Sequence, residues 1–241
     1  MDKMIFTAVS GAERLMRAQQ VHANNLANLD TAGFRASMEA ATDQKLGGFG
    51  YDDRHLSAMQ SDNISTRAGT VRQTGRPLDV AIGGQGYLAV QYGDSEAYTR
   101  SGEIEIGADG ALSVHGHALM GEGGPIVLPP HTAVEIGTDG TISVLTEGAK
   151  QMQVVDKLKL VNATGAELTK NEAGLIVARD GGNLAADPAV KVSPGALEGS
   201  NVSAVEEMVA TMALNRSFEL QMKLFQAGDK MNEAGNRLLG A

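Results

Sequence analysis

Two histidines separated by one residue are the first side chains in this sequence that could do chemistry. His115 and His117 would point to the same side of a β-strand, where two imidazoles could begin a metal site. A closed zinc site needs further ligands, and the chain has no cysteine to supply a thiolate. The pair is better explained as part of a strand face exposed to water.

Acidic residues recur at two Asp-Gly turns and in two close carboxylate pairs. The segments GADG and GTDG lack the ligand density of a calcium loop, whereas Asp-Gly tolerates the positive φ of a tight hairpin. Glu103 with Glu105 is unspecific, and Glu206 with Glu207 falls in the first turn of a predicted helix, where the helix dipole favours anions. No P-loop, dinucleotide-binding or nucleophile-elbow motif occurs. The sequence therefore predicts no catalytic residue, no metal site and no cofactor.

The composition limits the classes of protein to which the chain can belong. It has 241 residues, a formal net charge of −9 and an apolar fraction of 42%. A nucleic-acid partner calls for clustered lysine and arginine, which this sequence lacks. No stretch approaches the roughly 18 apolar residues of a membrane span. The start, MDKMIFTAVSGAERLMRAQQ, has no apolar core of a secretory signal peptide, so we expect a soluble chain that is not exported by that route.

A long helix is predicted at the N-terminus, and it must position the side chains of that region. Apolar and small residues recur at alternating spacings of three and four through residues 5–29, with Gln19 and His22 in the same seam. The helix should end near Asp30, where Gly33 supplies a left-handed turn. An isolated helix of this length is marginal in water, so it needs a partner helix.

The C-terminal segment predicts that partner. Ser200 or Ser203 can cap the helix, and Ser203 with Glu206 forms a capping box. One apolar stripe follows, made of Val205, Met208, Met212, Phe218, Met222 and Phe225. The two terminal helices are natural partners for each other.

The middle of the chain reads as β structure. The polar, glycine-rich stretch from Ser37 to about Gly75 predicts an extended connector with one or two short strands. PLDVAI and YLAVQY flank GGQG and predict a hairpin with a glycine turn. EIGADGALSV, from Glu105, and EIGTDGTISV, from Glu135, match at seven of ten positions, and each predicts a strand, an Asp-Gly turn and a second strand.

We therefore predict an α+β fold. Paired, coiled-coil-like N- and C-terminal helices flank a central, mostly antiparallel β domain. The predicted boundaries are residues 1–36 for the N-terminal helix, 37–75 for the connector, 76–199 for the β domain and 200–241 for the C-terminal helix.

The end of the first helix carries an unusual number of short polar side chains, namely Asn24, Asn25, Asn28 and Asp30. Polar groups in a helix seam lower stability, but they favour one register and one partner helix over the alternatives. Asparagines buried between subunits and a helix end exposed to water both explain the pattern.

Two motifs, one near each end of the chain, carry a resemblance. NNLANLDTAGFRA is similar to the Asn-Asn-x-Ala-Asn, Thr-x-Gly-Phe signature of the flagellar rod and hook family, the axial proteins of the bacterial flagellum. The matching positions are Asn24, Asn25, Leu26, Ala27, Asn28, Thr31, Gly33 and Phe34. SNVSAVEEMVATMALNRSFE carries, in the family's order, Ser200, Asn201, Val202, Glu206, Met208, Arg216, Phe218 and Glu219.

Central segments narrow the resemblance within the family. RPLDVAI, YTRSGE, GHALMGEGGPI and LEGSNV resemble the proximal-rod member. The distal-rod member is close in length and is the alternative, whereas the hook protein has a much larger middle. An alternative from another class of protein is a small metal-binding or enzymatic β protein that uses His115 and His117.

The resemblance implies a non-enzymatic structural subunit of the flagellar basal-body rod. In such a subunit the two terminal helices pair as a coiled coil lining the rod, and the β domain lies outside them. The implied partners are copies of the chain in a helical assembly, other proximal and distal rod proteins, and the flagellar type III export apparatus. It also implies a rod that crosses the periplasm, export without a cleaved signal peptide, and neither nucleic acid nor membrane insertion.

The resemblance also suggests which side chains would take part in assembly. We expect Leu15, Leu26 and Leu29 to pack within one subunit against Val205, Met208, Met212 and Phe218. Hydrogen bonds to adjacent subunits are expected from Asn24, Asn25, Asn28, Asn201 and Arg216. Phe34, just after Gly33, would anchor the turn where the chain leaves the helical core, and Thr31 and Glu219 complete the predicted interface.

Overall fold

The computed structural model describes residues 2–45, 55–171 and 173–239. Residues 46–54 of the predicted connector lie outside the described residues, as does the side chain of Ile5 in the predicted seam. Two helices stand at the ends of the chain, α1 at Asp2–Ala27 and α2 at Ala204–Leu239.

Seventeen strands lie between the helices in the described part of the chain. The first nine are Ser37–Lys45 (β1), His55–Ile64 (β2), Val71–Gln73 (β3), Val80–Ile82 (β4), Tyr87–Tyr92 (β5), Ser95–Thr99 (β6), Glu105–Ile106 (β7), Leu112–Val114 (β8) and His117–Ala118 (β9). The others are Ala133–Ile136 (β10), Thr141–Leu145 (β11), Gln153–Lys157 (β12), Leu160–Val161 (β13), Leu168–Lys170 (β14), Ile176–Ala178 (β15), Val192–Pro194 (β16) and Ala196–Glu198 (β17).

The chain divides into two compact units. The first consists of Met1–Ala27, Ser37–Asp62 and Ser203–Ala241, and therefore holds both helices and the β1–β2 ribbon. The second consists of Asn28–Ala36 and Asn63–Val202 and holds β3 to β17. The α+β class and the mostly antiparallel β domain are confirmed.

Short strands build the second unit in several small sheets. The largest has the order β13-β5-β6-β15-β14, and two three-stranded sheets are β7-β8-β9 and β10-β11-β12. Two strand pairs, β16-β4 and β17-β3, bring the end of this unit back to its beginning. The first and last strands of the second unit therefore pair with each other, although they are far apart in the sequence.

The predicted hairpin across GGQG is wrong. β4 pairs with β16, placing Ile82 opposite Val192, and β5 pairs with β6 and β13. Gly84 and Gly86 have φ of 63° and 150° and turn the chain from one sheet into another. All of β4 and the first four residues of β5 are buried. A continuous apolar run of this kind does not indicate which strand lies beside it.

The two predicted Asp-Gly hairpins are confirmed, and they are parts of a longer repeat. Gly107 N–H donates to the Ala111 carbonyl at 2.8 Å, and thirty residues on, Gly137 N–H donates to the Thr141 carbonyl at 2.8 Å. The correspondence continues past the hairpins. The Gly110 carbonyl accepts from Leu128 N–H at 2.8 Å, as the Gly140 carbonyl accepts from Leu158 N–H at 2.9 Å. The two hairpins, and the residues 126–128 and 156–158 that pair with them, thus repeat one backbone arrangement, whereas β9 has no counterpart among the described residues thirty positions later.

Two clusters of buried apolar side chains form the core of the second unit. The larger includes Val80, Leu88, Ile104, Leu112, Val114, Leu119, Ile126, Ile136, Ile142 and Val144. The smaller includes Ile64, Tyr87, Ala89, Tyr98, Val161 and Leu168. Equivalent residues of the two repeat copies, such as Leu112 with Ile142 and Val114 with Val144, share the larger cluster.

Strands in the predicted connector are longer than the sequence indicates. β1 and β2 have nine and ten residues and hydrogen-bond to each other as a two-stranded ribbon. No helix within the described ranges is both long and apolar enough to cross a bilayer.

Candidate subunit interface

The start of α2 has the predicted cap. Ser203 Oγ accepts the Glu206 backbone N–H at 3.4 Å, and the Ser203 carbonyl accepts the Glu207 N–H at 3.0 Å. Glu206 and Glu207 place negative charge in the first turn, where the helix dipole stabilises it. Ser203 rather than Ser200 is the capping residue.

Contacts between α1 and α2 run in opposite directions along the two helices. A Cβ on Gly11 would lie 3.1 Å from Gln221 Nε2, and Gln19 Nε2 donates to Asn215 Oδ1 at 3.1 Å. Nearer the end of α1, His22 contacts Glu207. The partners on α2 fall in number as those on α1 rise, so the helices are antiparallel where they touch.

Asn25 is used inside the chain. It is 1% exposed, its Oδ1 accepts the Ser37 N–H at 2.9 Å, and its Nδ2 donates to the Ser37 carbonyl at 3.0 Å and to Glu207 Oε1 at 3.2 Å. Glu207 Oε2 contacts His22 Nδ1. Asn25 thus binds Ser37 and Glu207 within the first unit.

One face of α2 is covered. Its buried or half-buried residues follow spacings of three and four, as expected for one side of a helix. They include Glu207, Ala210, Thr211, Leu214, Phe218, Gln221, Phe225 and Gly228. Leu15 and Ala18 are buried on α1.

The other face of α2 is exposed although it is apolar. Val205 is 67% exposed, Met208 47%, Met212 55%, Leu220 62% and Leu224 62%. The predicted packing of Val205, Met208 and Met212 inside the subunit is therefore not observed, and Phe218 is the member of that set on the covered face. The single stripe of the sequence is two stripes on opposite sides of one helix.

The remaining predicted residues of the helices lie mainly on exposed surface. Leu26 is 39% exposed, so it does not occupy the seam expected for it. Asn24, Arg216 and Glu219 are exposed, and Asn28 and Leu29 are half-buried.

The turn after α1 is built as predicted. Gly33 has φ of 67°, and its N–H donates to the Glu198 carbonyl at 2.7 Å. Thr31 Oγ1 donates to Asn28 Oδ1 at 3.1 Å, and the Thr31 carbonyl accepts the Phe34 N–H at 3.2 Å. The Lys170 ammonium lies 4.0 Å from the centre of the Phe34 ring, a cation–π contact that fixes the aromatic side chain.

Asn201 is also hydrogen-bonded within its own chain. It is 5% exposed, its Oδ1 accepts the Ala36 N–H at 2.7 Å, and its Nδ2 donates to the carbonyls of Ser65 and Arg67. The matching C-terminal motif thus contains an asparagine whose side chain binds two backbone segments of the second unit, at Ala36 and at Ser65 and Arg67.

Sequence reasoning missed the charged residues buried beside this turn. Arg35, Arg100 and Glu198 are 4%, 2% and 1% exposed. Burial lowers the pKa of the Arg35 guanidinium, and the nearby charge of Arg100 acts in the same direction, whereas Glu198 opposes both. The sequence gives one indication of them, because each lies within a segment that carries the family resemblance.

The two histidines lie in different local structures. His115 lies in the turn before β9 with φ of 50°, and its Nε2 is 2.9 Å from Ser101 Oγ. His117 lies on β9, where its ring centre is 5.8 Å from that of Tyr92. The predicted placement of both on one strand face is wrong. Residues 2–45, 55–171 and 173–239 hold no group of three or more potential metal ligands.

Comparison with known proteins identifies the family of the chain. Three family models match, described as flagella basal body rod protein at residues 5–35, flagellar hook protein FlgE/F/G D1 domain at residues 81–144, and flagellar basal body rod FlgEFG protein C-terminal at residues 193–238. The chain is 40% identical, over 99% of both chains, to the flagellar basal-body rod proteins FlgF of Salmonella typhimurium and of Escherichia coli. The chain belongs to the FlgF family of flagellar basal-body rod proteins.

FlgG proteins are more distant relatives. The flagellar basal-body rod protein FlgG of Bacillus subtilis is 27% identical over 95% of this chain and 96% of its own. As a member of the FlgF family, the chain is a structural subunit of the flagellar basal-body rod. The exposed apolar face of α2 is therefore a candidate for contact with other axial subunits.

Proposed function

We propose that the chain is a proximal-rod subunit that assembles helically, with copies of itself and with other rod proteins, to form part of the flagellar drive shaft. The observation that carries this proposal is the two-sided α2 helix. One apolar face lies in the first unit's own packing, and the opposite apolar face is exposed. An exposed apolar surface of this extent is typical of a binding surface.

The exposed face suits a continuous assembly. A rod that transmits torque needs many contacts in a fixed helical lattice, and interfaces between different surfaces of successive subunits generate such a lattice. Val205, Met208 and Met212 supply adaptable apolar contact area, since methionine fills irregular gaps. Arg216 and Glu219 would add polar contacts with the neighbouring subunit.

Paired terminal helices would give this surface its rigidity. We propose that α1 and α2 form a coiled-coil-like pair whose register is set by polar contacts. The contacts of His22 and Asn25 with Glu207, which are buried or half-buried, support this proposal. The exposed Gln19–Asn215 bond joins the same two helices at their surface. Polar groups in a helix seam favour one register over its alternatives. Asn24, Leu26 and Asn28, at the end of α1, would then face adjacent subunits.

Identity to relatives supports the proximal rather than the distal rod. The chain is 40% identical to the enterobacterial FlgF proteins and 27% identical to the Bacillus FlgG protein. We further propose that the chain has no catalytic activity. It would reach the rod in the periplasm through the flagellar type III export apparatus, without a cleaved signal peptide.

Deleting the gene in its host tests the proposal. Isolated basal bodies are viewed by electron microscopy, and wild-type basal bodies are probed for the chain with an antibody. We expect a rod truncated near the inner-membrane ring, no hook and no swimming. A complementing copy on a plasmid is the control and should restore all three.

A complete rod on a motile deletion strain would overturn the proposal. A rod that stops further out, with its inner part intact, would move the chain to the distal rod. If the antibody does not detect the chain in wild-type basal bodies, the chain is not a rod subunit.

A further inference from the structure

Three segments of the second unit continue along the chain into the first unit. They are residues 28–36, which join it at both ends, residues 63–69 at the start of the long segment 63–202, and residues 198–202 at its end. Every peptide bond that links the two units therefore lies at the end of one of these segments. All three segments meet at a buried group of polar side chains, which we call the Glu198 cluster: Arg35, Arg100, Glu198 and Asn201.

Glu198 is the centre of the cluster and binds all three segments. Its Oε1 accepts the Gly69 backbone N–H at 2.8 Å and an Arg35 guanidinium N–H at 2.9 Å. Its backbone carbonyl accepts the Gly33 N–H at 2.7 Å. One residue thus holds the turn after α1, the segment after β2 and the segment before α2.

Arg100 fixes the second carboxylate oxygen to the β core. Its Nε and Nη2 donate to Glu198 Oε2 at 2.8 and 2.6 Å. The rest of the guanidinium donates to the carbonyls of Ile82, Gly84 and Gly86 at 2.8 to 2.9 Å. The Tyr87 ring lies beside it, 6.0 Å from Arg100 Cζ to the ring centre. The carboxylate is therefore anchored, through Arg100, to the end of β4 and to the loop that joins β4 to β5.

A second layer of bonds closes the cluster without passing through Glu198. Arg35 donates to the Arg67 carbonyl, and Arg67 donates to the Asn201 carbonyl at 2.9 Å. Asn201 binds the Ala36 N–H and the carbonyls of Ser65 and Arg67. The three segments are thus also bonded to one another.

We propose that the Glu198 cluster is a mechanical clamp that makes the three connecting segments yield together, so that torque is shared among them instead of loading one. This proposal rests on the proposed role in the rod. Buried charges cost more to place than apolar groups, and an apolar substitute often packs as stably. Holding three chain segments at one point is a task that an apolar side chain cannot perform, because it has no acceptors for their donors.

Hydrogen exchange of the purified full-length protein tests whether the segments are coupled. Glu198→Gln keeps the side-chain size but brings an amide N–H₂ against the donors of Gly69, Arg35 or Arg100. We expect amide exchange to accelerate about 10-fold or more at Gly69 and also at Gly33, Ala36 and Ser65, since local opening would release the segments as a unit. A simple local defect would accelerate exchange at Gly69 alone.

Glu96→Gln is the matched control. Glu96 forms a separate, largely buried ion pair in the second unit, with Lys159 at 2.6 Å, and lies in β6, outside residues 28–36, 63–69 and 198–202. It should change exchange around β6 and leave Gly33, Ala36, Ser65 and Gly69 as in the wild type. If Glu198→Gln does not fold, Arg100→Lys replaces it, because lysine keeps the charge but cannot donate to all five acceptor contacts of the guanidinium.

A cell assay tests whether the Glu198 cluster helps the rod to withstand torque. Strains carrying each variant swim in buffer and in a viscous polymer solution, and shed filaments with attached hooks are counted. We expect Glu198→Gln, or Arg100→Lys, to shed several-fold more filaments than Glu96→Gln, and only under viscous load.

Two results would overturn the clamp. One is exchange that accelerates at Gly69 only, and the other is shedding equal to that of Glu96→Gln. Because exchange is measured on the purified chain, its outcome does not depend on whether the chain is in the rod. Coupled exchange together with chain missing from basal bodies would instead count against the proposed function and against the mechanical purpose of the cluster.

Discussion

Gly33 stands where the backbone of another segment leaves no room for a side chain. A Cβ there would lie 2.1 Å from the Ser101 backbone nitrogen and 2.5 Å from the Arg100 carbonyl oxygen. The position also has φ of 67°, which L-residues adopt at a cost. Two separate restrictions therefore act on one residue.

Gly33→Ala should consequently cost more than its backbone angle alone. We expect Gly33→Ala to lower the free energy of unfolding by at least about 2 kcal/mol, measured by urea denaturation. Gly75→Ala is the control, because Gly75 has φ of 74° but no atom within 4 Å of an added Cβ. That control should lose only about 1 kcal/mol. Equal losses at both sites would show that the close approach of Ser101 is unimportant.

The Asp139 carboxylate offers a test of the turn chemistry. Hydrogen bonds from the Thr141 hydroxyl and backbone N–H hold the pKa of Asp139 below its ordinary value. A carboxyl with a lowered folded-state pKa stabilises the fold above its unfolded pKa, and this contribution is lost as pH falls through the folded value. Thr141→Val should raise the pKa of Asp139, as an NMR titration can measure. The stabilising contribution of the carboxylate should then be lost at a higher pH than in the wild type. An unchanged pKa would remove the hydroxyl as its cause.

At the scale of single residues, the sequence predicts backbone geometry better than polar partners. Gly33 and Ser203 are recognisable because a left-handed turn and a helix cap each favour particular residue types. Asn25 and Asn201 look like surface groups in the sequence. They are buried because distant backbone segments supply their partners, and no local pattern encodes those segments.

Among the helices and strands, α2 has the clearest functional asymmetry. Met212→Glu on the exposed face should leave the thermal unfolding of the purified protein nearly unchanged, within about 0.5 kcal/mol, as is usual for surface sites. It should nevertheless block rod assembly, because a charge would be buried at the proposed interface. Cells are scored for swimming and basal bodies for rods.

Leu214→Glu is the matched variant on the covered face, since Leu214 is half-buried. It should destabilise the purified protein through the α1–α2 packing. Normal rods with Met212→Glu would exclude the exposed face from assembly.

The repeated units allow a comparison inside one chain. Gly110 and Gly140 have φ of 83° and 84°, but a Cβ on Gly110 would be 2.4 Å from the Leu128 carbonyl oxygen, whereas the nearest atom to one on Gly140 is a Leu158 side-chain carbon at 3.3 Å. Both Gly→Ala variants should lose about 1 kcal/mol from the backbone angle. Gly110→Ala should lose further stability in urea denaturation. A loss at Gly140 equal to or larger than that at Gly110 would contradict the predicted clash with the Leu128 carbonyl.

Sequence patterns predict these elements unevenly. Hairpins with Asp-Gly turns are predictable because both strands and the turn lie within ten residues. The pairing of β4 with β16 joins segments more than a hundred residues apart, so the short run VAI carries no trace of it. The stripe on α2 was ambiguous because apolar residues occupy two sides of the helix.

For the whole molecule, the two units should differ in resistance to protease. Both buried apolar clusters belong to the second unit, whereas α2 exposes Arg216, Lys223 and Lys230. Limited trypsin digestion of the purified chain should therefore cut the C-terminal helix first. A β core from about Pro77 to Pro194 should persist, as mass spectrometry can check. Cleavage within the β core before α2 would contradict the proposed domain boundaries.

The exposed face of α2 also limits how much free chain a cell can hold. Apolar surfaces associate once their concentration exceeds a threshold set by the free energy of contact. Below that threshold subunits stay dispersed, and above it they collect on any available end or on one another. Synthesis must therefore keep pace with incorporation, or the surplus must be covered by another molecule until it is needed.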